Sequence, residues 1–203
     1  FALFFIAFPL RLPVFPFHTW FTDAQGAAAA PVAIVLAGIV TKLGAYGLYR
    51  VNVGQFQATL HRVSGAVAVL AVVTVLWGAL AAFREDDLRR LVGYLVMSHG
   101  GLLVLAVASA APVALNGGVL LMVADGLTAA MLIVLASTVA ARVNTRSIRA
   151  MGGLAARLPQ GAVPWMLDAL AALARPGLGR LRGRFPPPLR RDPAPPPAPT
   201  PLP

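Results

Sequence analysis

Most of this chain is divided into apolar stretches of about 20 residues or more, the length that a helix needs to cross a lipid bilayer. Hydrophobic residues make up 58% of the sequence and charged residues only 12%, whereas a soluble domain averages about 25% charged residues. Because a chain in lipid must satisfy its backbone hydrogen bonds internally, the sequence predicts an all-α polytopic membrane protein. The continuous stretches are 31–50, 62–83, 88–109 and 113–141.

Two further apolar stretches are irregular. Residues 1–17 contain Pro9, Pro13 and Pro16, and proline removes a backbone donor and clashes with the preceding turn. We therefore expect a broken first transmembrane helix, with Arg11 inside the break. Residues 161–174 are too few for a clear span. The prediction is about five transmembrane helices and a short sixth apolar stretch.

Three of the continuous stretches carry one ionisable residue near mid-length: Lys42, His99 and Asp125. Such a group at the bilayer centre costs roughly 2.5–3.5 kcal/mol on insertion scales, so these positions indicate function. Three at similar depth predict a polar row through the packed helices. Simpler interpretations remain open: Lys42 extends to an interface, His99 hydrogen-bonds between helices, or Asp125 pairs with one of the two and immobilises both charges.

The basic residues predict the orientation of the chain and one of its partners. Short cytoplasmic loops of membrane proteins are enriched in Lys and Arg. The formal net charge is +10, which favours anionic lipid headgroups over nucleic acid. We expect a multi-pass protein of the cell inner (plasma) membrane whose cytoplasmic side carries Arg84, Arg89, Arg90, Arg142, Arg146, Arg149 and Arg157, against Arg50 and Arg62 on the other side.

The two ends of the sequence differ from its apolar body. Residues 186–203 are dominated by proline, which favours an extended, disordered tail, so the predicted transmembrane domain is 1–185. Phe1 begins inside an apolar run without a basic leader, so we expect no signal peptide here. We expect that a preceding part of the protein lies elsewhere or is lost.

The residue types exclude several classes of site. The chain has no cysteine, which excludes disulfides, thiolate metal sites and iron–sulfur ligation. No nucleophile–base pair or metal-ligand cluster is evident in the sequence. We therefore predict no catalytic site, cofactor or metal within this chain.

Several short motifs, taken in order, resemble one family. They are FPFHTWFTDA at 15–24, LAGIVTKLGAYG at 36–47, WGAL at 77–80, DLRRLVGY at 87–94, SHGG at 98–101, ALNGG at 114–118, TRSIRAMGGL at 145–154 and PGLG at 176–179. Together they resemble subunit M of respiratory complex I (NADH-quinone oxidoreductase), an antiporter-like membrane subunit of the proton-conducting transporter and Mrp antiporter superfamily. The resemblance covers about residues 1–185 and corresponds to the family's region from the broken seventh helix towards the broken twelfth.

The resemblance implies a function and a set of axis residues. It implies a membrane subunit that translocates protons, coupled to quinone reduction elsewhere in the complex, with other membrane subunits as partners. Lys42 would be the central lysine of the family's eighth helix and His99 the axis histidine of its tenth. Burial disfavours the charged form of a lysine and so promotes proton exchange, and histidine titrates near physiological pH. Arg11 occupies the position of the seventh-helix lysine.

The chain departs from the family at three axis positions. Arg11 cannot deprotonate, Asp125 stands where the family has a second axis histidine, and Arg184 replaces the terminal carboxylate. Three hypotheses follow. In the first, the chain is a proton-translocating part of a complex I-type assembly. In the second, it is a subunit of a multisubunit cation/proton antiporter or of a membrane-bound hydrogenase. The third is a non-transporting membrane remnant or scaffold.

Overall fold

A computed structural model describes residues 1–151 of the chain, and these form a bundle of helices. In order they are α1 (Ala2–Arg11), α2 (Thr19–Ala27), α3 (Ala30–Val53), α4 (Gln57–Arg84), α5 (Leu88–Ser109) and α6 (Pro112–Val143). The helices α3 to α6 are long and apolar enough to cross a membrane, and α1 is a shorter apolar helix. The predicted stretch 161–174, Arg157, Arg184 and the tail 186–203 lie outside the described residues.

Proline and aspartate set several helix boundaries. The first apolar stretch is interrupted after Arg11, and Pro9 lies inside α1. Pro31 occupies the first turn of α3, where its missing N–H costs nothing. Asp87 caps α5, since its Oδ1 accepts hydrogen bonds from the backbone N–H groups of Arg89 at 2.8 Å and Arg90 at 3.2 Å.

Helix α3 contains two segments with the wider turn of a π-helix, Leu36–Val40 and Leu48–Val53. The second segment carries the helix past Arg50, where the sequence predicted its end, to Val53. Wide turns of this kind occur often at functional sites, because the extra residue rotates the side chains that follow. Here they flank the ordinary α-helical segment that contains Lys42.

Glycines allow α4 and α5 to pack with their backbones close together. A Cβ atom at Gly101 would lie 2.9 Å from the carbonyl oxygen of Ala71, and one at Gly78 would lie 2.8 Å from the amide nitrogen of Ser98. The Ser98 hydroxyl also donates to the carbonyl of Val75 at 3.1 Å. The outer surface remains apolar, with Phe83 89% exposed, as expected of a surface that faces lipid.

The loops meet at two opposite ends of the bundle. At one end, which we call the arginine-rich end, Arg90 pairs with Asp23, and the backbone N–H of Leu88 donates to the carbonyl of Arg146 at 3.1 Å. Because the long helices alternate in direction, Arg50 in the last turns of α3 and Arg62 near the start of α4 lie at the other end, the Arg50 end. Within residues 1–151, the basic residues of the two predicted sides are therefore separated in the fold.

Candidate functional site

Three ionisable side chains, one buried and two partly buried, meet in the middle of the bundle. Asp125 of α6 is only 1% exposed, and its two carboxylate oxygens have different partners. Oδ2 accepts from the Nζ ammonium of Lys42 on α3, and Oδ1 is 2.7 Å from Nδ1 of His99 on α5. The side chains of Lys42 and His99 are 11% and 12% exposed. One carboxylate thus connects three helices.

The approach of α3 to α6 depends on two glycines beside this cluster. A Cβ atom at Gly126 would lie 2.8 Å from the carbonyl oxygen of Gly38, and one at Gly38 would lie 3.2 Å from Cβ of Ala130. The same surface of Gly126 faces the stem of Lys42, with 3.6 Å to its Cγ. Larger residues would separate the two helices and draw the Lys42 ammonium away from Asp125.

The contact between His99 and Asp125 links the tautomer of the ring to the charge of the carboxylate. An ionised carboxylate only accepts hydrogen bonds, so an ionised Asp125 requires the proton of this hydrogen bond on Nδ1 of His99. The other ring nitrogen, Nε2, is then the atom that gains or loses a proton when the ring changes charge. Lys42 offers three N–H donors and gains or loses its proton at Nζ. The side chains of Lys42 and His99 are thus held by the same carboxylate.

The electrostatic arrangement couples Lys42 to His99. In a low-dielectric interior, charges interact far more strongly than in water, and a buried charge is costly unless it is paired. Asp125 balances one positive charge. With both Lys42 and His99 protonated, two cations share the one carboxylate of Asp125. The charge state of either side chain is therefore felt by the other through short, water-poor distances.

Two of the predicted axis residues do not join this cluster. Arg11 lies at the exposed end of α1, and the residues that the structure describes provide no ion-pair partner for it. Its Cβ would be 3.0 Å from a Cβ at Gly44, so it packs beside α3 near the turn that carries Lys42. Arg184 lies outside the described residues. Within residues 1–151, no group of three or more His, Cys, Asp or Glu side chains is placed to hold a metal ion.

Two buried polar residues of α3 were not predicted as functional. Asn52 is 0% exposed, and neither of its side-chain polar atoms has a hydrogen-bond partner among residues 1–151. The buried hydroxyl oxygen of Tyr49 is in the same situation. The sequence signal was an asparagine three residues after a tyrosine, but the predicted span ended at Arg50 and left Asn52 in a loop. The wide turn Leu48–Val53 places Asn52 inside the bundle instead.

Asp86 organises the arginine-rich end. Its Oδ2 accepts from the hydroxyl of Ser147 at 2.5 Å, and its Oδ1 accepts from the backbone N–H of Arg149 at 3.1 Å. These two hydrogen bonds, the hydroxyl's first, hold the pKa of the Asp86 carboxyl below its ordinary value. The loop after α6 is thereby tied to the loop between α4 and α5.

Comparison with known proteins gives a match over most of the chain. Residues 1–186 match the family model described as NADH:quinone oxidoreductase/Mrp antiporter, transmembrane. An NAD(P)H-quinone oxidoreductase chain 4 of Synechococcus sp. (strain JA-2-3B'a(2-13)) is 37% identical over 91% of this chain and 35% of its own length. That of Synechococcus elongatus is 40% identical over 88% of this chain and 33% of its own length. The chain thus spans about a third of the length of these relatives.

Solved structures share the fold. The Mrp complex from Dietzia sp. DQ12-45-1b contains a chain with 28% identity and a TM-score of 0.78, matched over 90% of this chain and 20% of that one. An archaeal membrane-bound sulfane sulfur reductase contains another, 21% identical with a TM-score of 0.74, matched over 87% of this chain and 37% of that one. Together with the four membrane-length helices, these matches make the chain a multi-pass membrane protein.

Proposed function

The chain belongs to the NADH:quinone oxidoreductase/Mrp antiporter transmembrane family, and on that premise we propose that it forms a proton relay in a membrane subunit of a complex I-type assembly. In this proposal Lys42, Asp125 and His99 move protons through the bundle, coupled to quinone reduction by other subunits. The relatives named NAD(P)H-quinone oxidoreductase chain 4 support the choice of assembly.

The observation that carries the proposal is the bridging carboxylate of Asp125. It is buried, and each of its oxygens contacts a side chain of a type that can carry a proton, Lys42 on one side and His99 on the other. A structural ion pair needs only two partners. A third, titratable partner on another helix gives the cluster a second place for the same positive charge, which a relay requires.

The proposed transfer uses only atoms of this cluster. A proton arrives at Nε2 of His99 and makes the ring a cation, so two cations then face the carboxylate of Asp125. Repulsion between them favours release of a proton from Nζ of Lys42. The cluster returns to one positive and one negative charge, and the net result is one proton taken up at His99 and one released at Lys42. The reverse order carries a proton the other way.

Arg11 takes part differently in this proposal. It keeps its charge throughout the cycle, and its place near Gly44 lies close to the α3 turn that carries Lys42. It therefore supplies a fixed positive charge on the α1 side of α3. Arg184 would have the same fixed charge at the family's terminal axis position.

We further propose the setting of the relay. The arginine-rich end faces the cytoplasm of a cell inner membrane, since short cytoplasmic loops collect arginine. Anionic headgroups bind its exposed side chains, of which Arg149 is 88% exposed. Other membrane subunits pack against the apolar surface. Residues 1–185 form the transmembrane unit, followed by a proline-rich tail.

A second candidate function is a subunit of a multisubunit cation/proton antiporter. The fold shared with a chain of the Dietzia Mrp complex favours it, as does Asp125, because a carboxylate binds hard cations such as Na⁺ better than histidine does. Proton uptake that depends on Na⁺ would select this function. The non-transporting scaffold is the third alternative. It requires that the Lys42–Asp125 ion pair remains intact and that neither side chain passes on a proton.

The test combines purification with transport. The chain carrying an affinity tag is solubilised gently from its own membrane, and co-purifying proteins are identified by mass spectrometry. The preparation is then reconstituted in vesicles, and quinone-dependent proton uptake is followed with a pH-sensitive dye. We expect complex I-type subunits to co-purify with the chain. We also expect proton uptake, and we expect the double variant Lys42→Met with Asp125→Leu to abolish it. Recovery of the chain without such subunits, or uptake unchanged in that variant, would contradict the proposal.

A further inference from the structure

A second polar site lies in α3, between Lys42 and the Arg50 end of the bundle. It consists of the buried hydroxyl of Tyr49 and the side-chain amide of Asn52. These residues are three positions apart and so lie on neighbouring turns of one helix. Three polar atoms in this small region have no hydrogen-bond partner among the described residues: Oη of Tyr49 and both Oδ1 and Nδ2 of Asn52.

The site is in register with the Lys42–Asp125 pair. Lys42 of α3 meets Asp125 of α6. Tyr49 follows Lys42 by seven residues in α3, and Gly118 precedes Asp125 by seven residues in α6. The Tyr49 hydroxyl occupies the space that a Cβ atom at Gly118 would need. Both contacts thus belong to one antiparallel seam between the two helices. At about 1.5 Å per residue, Tyr49 is roughly 10 Å further along this seam, and Asn52 follows by one turn.

The surroundings of the site are apolar. Tyr49 packs against a buried cluster that includes Leu103, Val107 and Leu121. A polar group moved into such surroundings without a hydrogen bond costs about 1–3 kcal/mol in proteins, and an amide loses both a donor and an acceptor. Buried polar groups of this kind are commonly satisfied by internal water, which makes about three hydrogen bonds.

We infer that Tyr49 and Asn52 bind water within the bundle and form a polar branch that connects Lys42 with the Arg50 end. The hydroxyl and the amide both donate and accept hydrogen bonds, so they orient a short water chain without changing their own charge. A proton passes along the waters, and each group returns to its starting state. Gly118 keeps the branch open, because any side chain there would occupy the place of the Tyr49 hydroxyl. The link to Lys42 rests on the proposed function, whereas the water site does not.

The absence of native cysteine makes the water site directly testable. Asn52→Cys is compared with Leu48→Cys, since Leu48 is also 0% exposed and lies in the same wide-turn segment. Each variant is reconstituted in vesicles and treated with a charged, membrane-impermeant methanethiosulfonate reagent, which reacts with hydrated thiols. Gln55→Cys and Arg149→Cys are exposed reporters of the two ends of the bundle.

The expected result is that Asn52→Cys reacts at least tenfold faster than Leu48→Cys, and from the same side as Gln55→Cys. Equal rates for the two buried positions, or reaction only from the side of Arg149→Cys, would overturn the water site. This readout does not depend on transport, so it stands or falls separately from the proposed function.

The connection to Lys42 has its own measurement. Tyr49→Phe combined with Asn52→Leu keeps the size of both side chains and removes their polar atoms. Proton uptake by the reconstituted assembly should fall at least fivefold in this double variant and remain unchanged in the control Leu48→Ile. Uptake equal to that of the native chain, with Asn52→Cys still reactive, would overturn the branch to Lys42.

Discussion

Lys42 and Asp125 are 83 positions apart in the chain and form a largely buried ion pair between α3 and α6. The same carboxylate holds His99 at 2.7 Å through its other oxygen. This double use of one side chain distinguishes the cluster from an ordinary ion pair, because removing the carboxylate affects both partners at once. The first two predictions follow from this arrangement.

Asp125→Asn should destabilise the bundle strongly. Removing one partner of a buried pair leaves an uncompensated charge, which typically costs about 3–5 kcal/mol. The double variant Lys42→Met with Asp125→Leu should recover most of that loss, because an apolar pair of similar size needs no compensation. Unfolding of detergent-solubilised protein by denaturant titration measures both. A double variant as unstable as Asp125→Asn would show that Lys42 is not the decisive partner.

His99→Asn should separate hydrogen bonding from proton exchange. The asparagine amide can donate to Asp125 from nearly the position of Nδ1, but it cannot take up a proton. We expect stability close to that of the native chain and at least a tenfold loss of proton uptake. His99→Leu, which lacks the donor, should lose stability as well. Full uptake in His99→Asn would remove His99 from the relay.

Replacing glycine by alanine should change the stability of the fold in opposite directions at Gly101 of α5 and Gly65 of α4. Gly101→Ala places a Cβ 2.9 Å from the carbonyl oxygen of Ala71, and overpacking of this kind costs about 1–3 kcal/mol. Gly65→Ala meets no atom within 4 Å, so it should stabilise α4 by about 0.5–1 kcal/mol through reduced backbone freedom. Thermal unfolding in one detergent compares the two, and equal shifts would contradict the packing described for α4 and α5.

Asp86 should make the arginine-rich end sensitive to acid. Its pKa in the folded chain lies below the ordinary value of 3.8, chiefly because the Ser147 hydroxyl donates to it. The carboxylate therefore stabilises the fold above pH 3.8, and this contribution is lost as the pH falls through the lower folded-state value. Asp86→Asn should unfold at a lower temperature than the native chain at pH 7, and the difference should shrink well below pH 3.8.

The control for this experiment is Asp23→Asn. Asp23 pairs with Arg90 at the same end, but its side chain is 65% exposed, and exposed ion pairs contribute little. Its unfolding temperature should stay close to the native value at both pH values. A larger effect at Asp23 than at Asp86 would contradict the role of Asp86 in holding the loop.

The sequence predicted the parts of this fold that depend on neighbouring residues, such as apolar runs and the prolines that interrupt them. The resemblance to antiporter-like membrane subunits, the all-helical membrane fold and the proline-broken first helix are confirmed. The apolar run predicted the stretch 88–109, and α5 has the same bounds, with Asp87 as its N-cap.

The rest depended on contacts between distant segments. The sequence did not predict which side chains contact Asp125. That depends on the register of α3 against α6, which Gly38 and Gly126 set where the two helices cross. Asn52 was missed because an asparagine after Arg50 is typical of a loop, and only the wide turn Leu48–Val53 carries it into the bundle. The roles of Lys42, His99, Asp125, Arg11 and Arg184 stay predictions.

The most direct test of the relay is proton uptake by the Lys42→Arg variant. Arginine keeps the positive charge and the pairing with Asp125, so the assembly should purify intact with unchanged subunit composition. Because arginine does not release its proton, quinone-dependent uptake in reconstituted vesicles should fall to the level of vesicles without protein. Uptake at the native rate in an intact Lys42→Arg assembly would contradict a relay through Lys42 and leave the buried cluster a structural role.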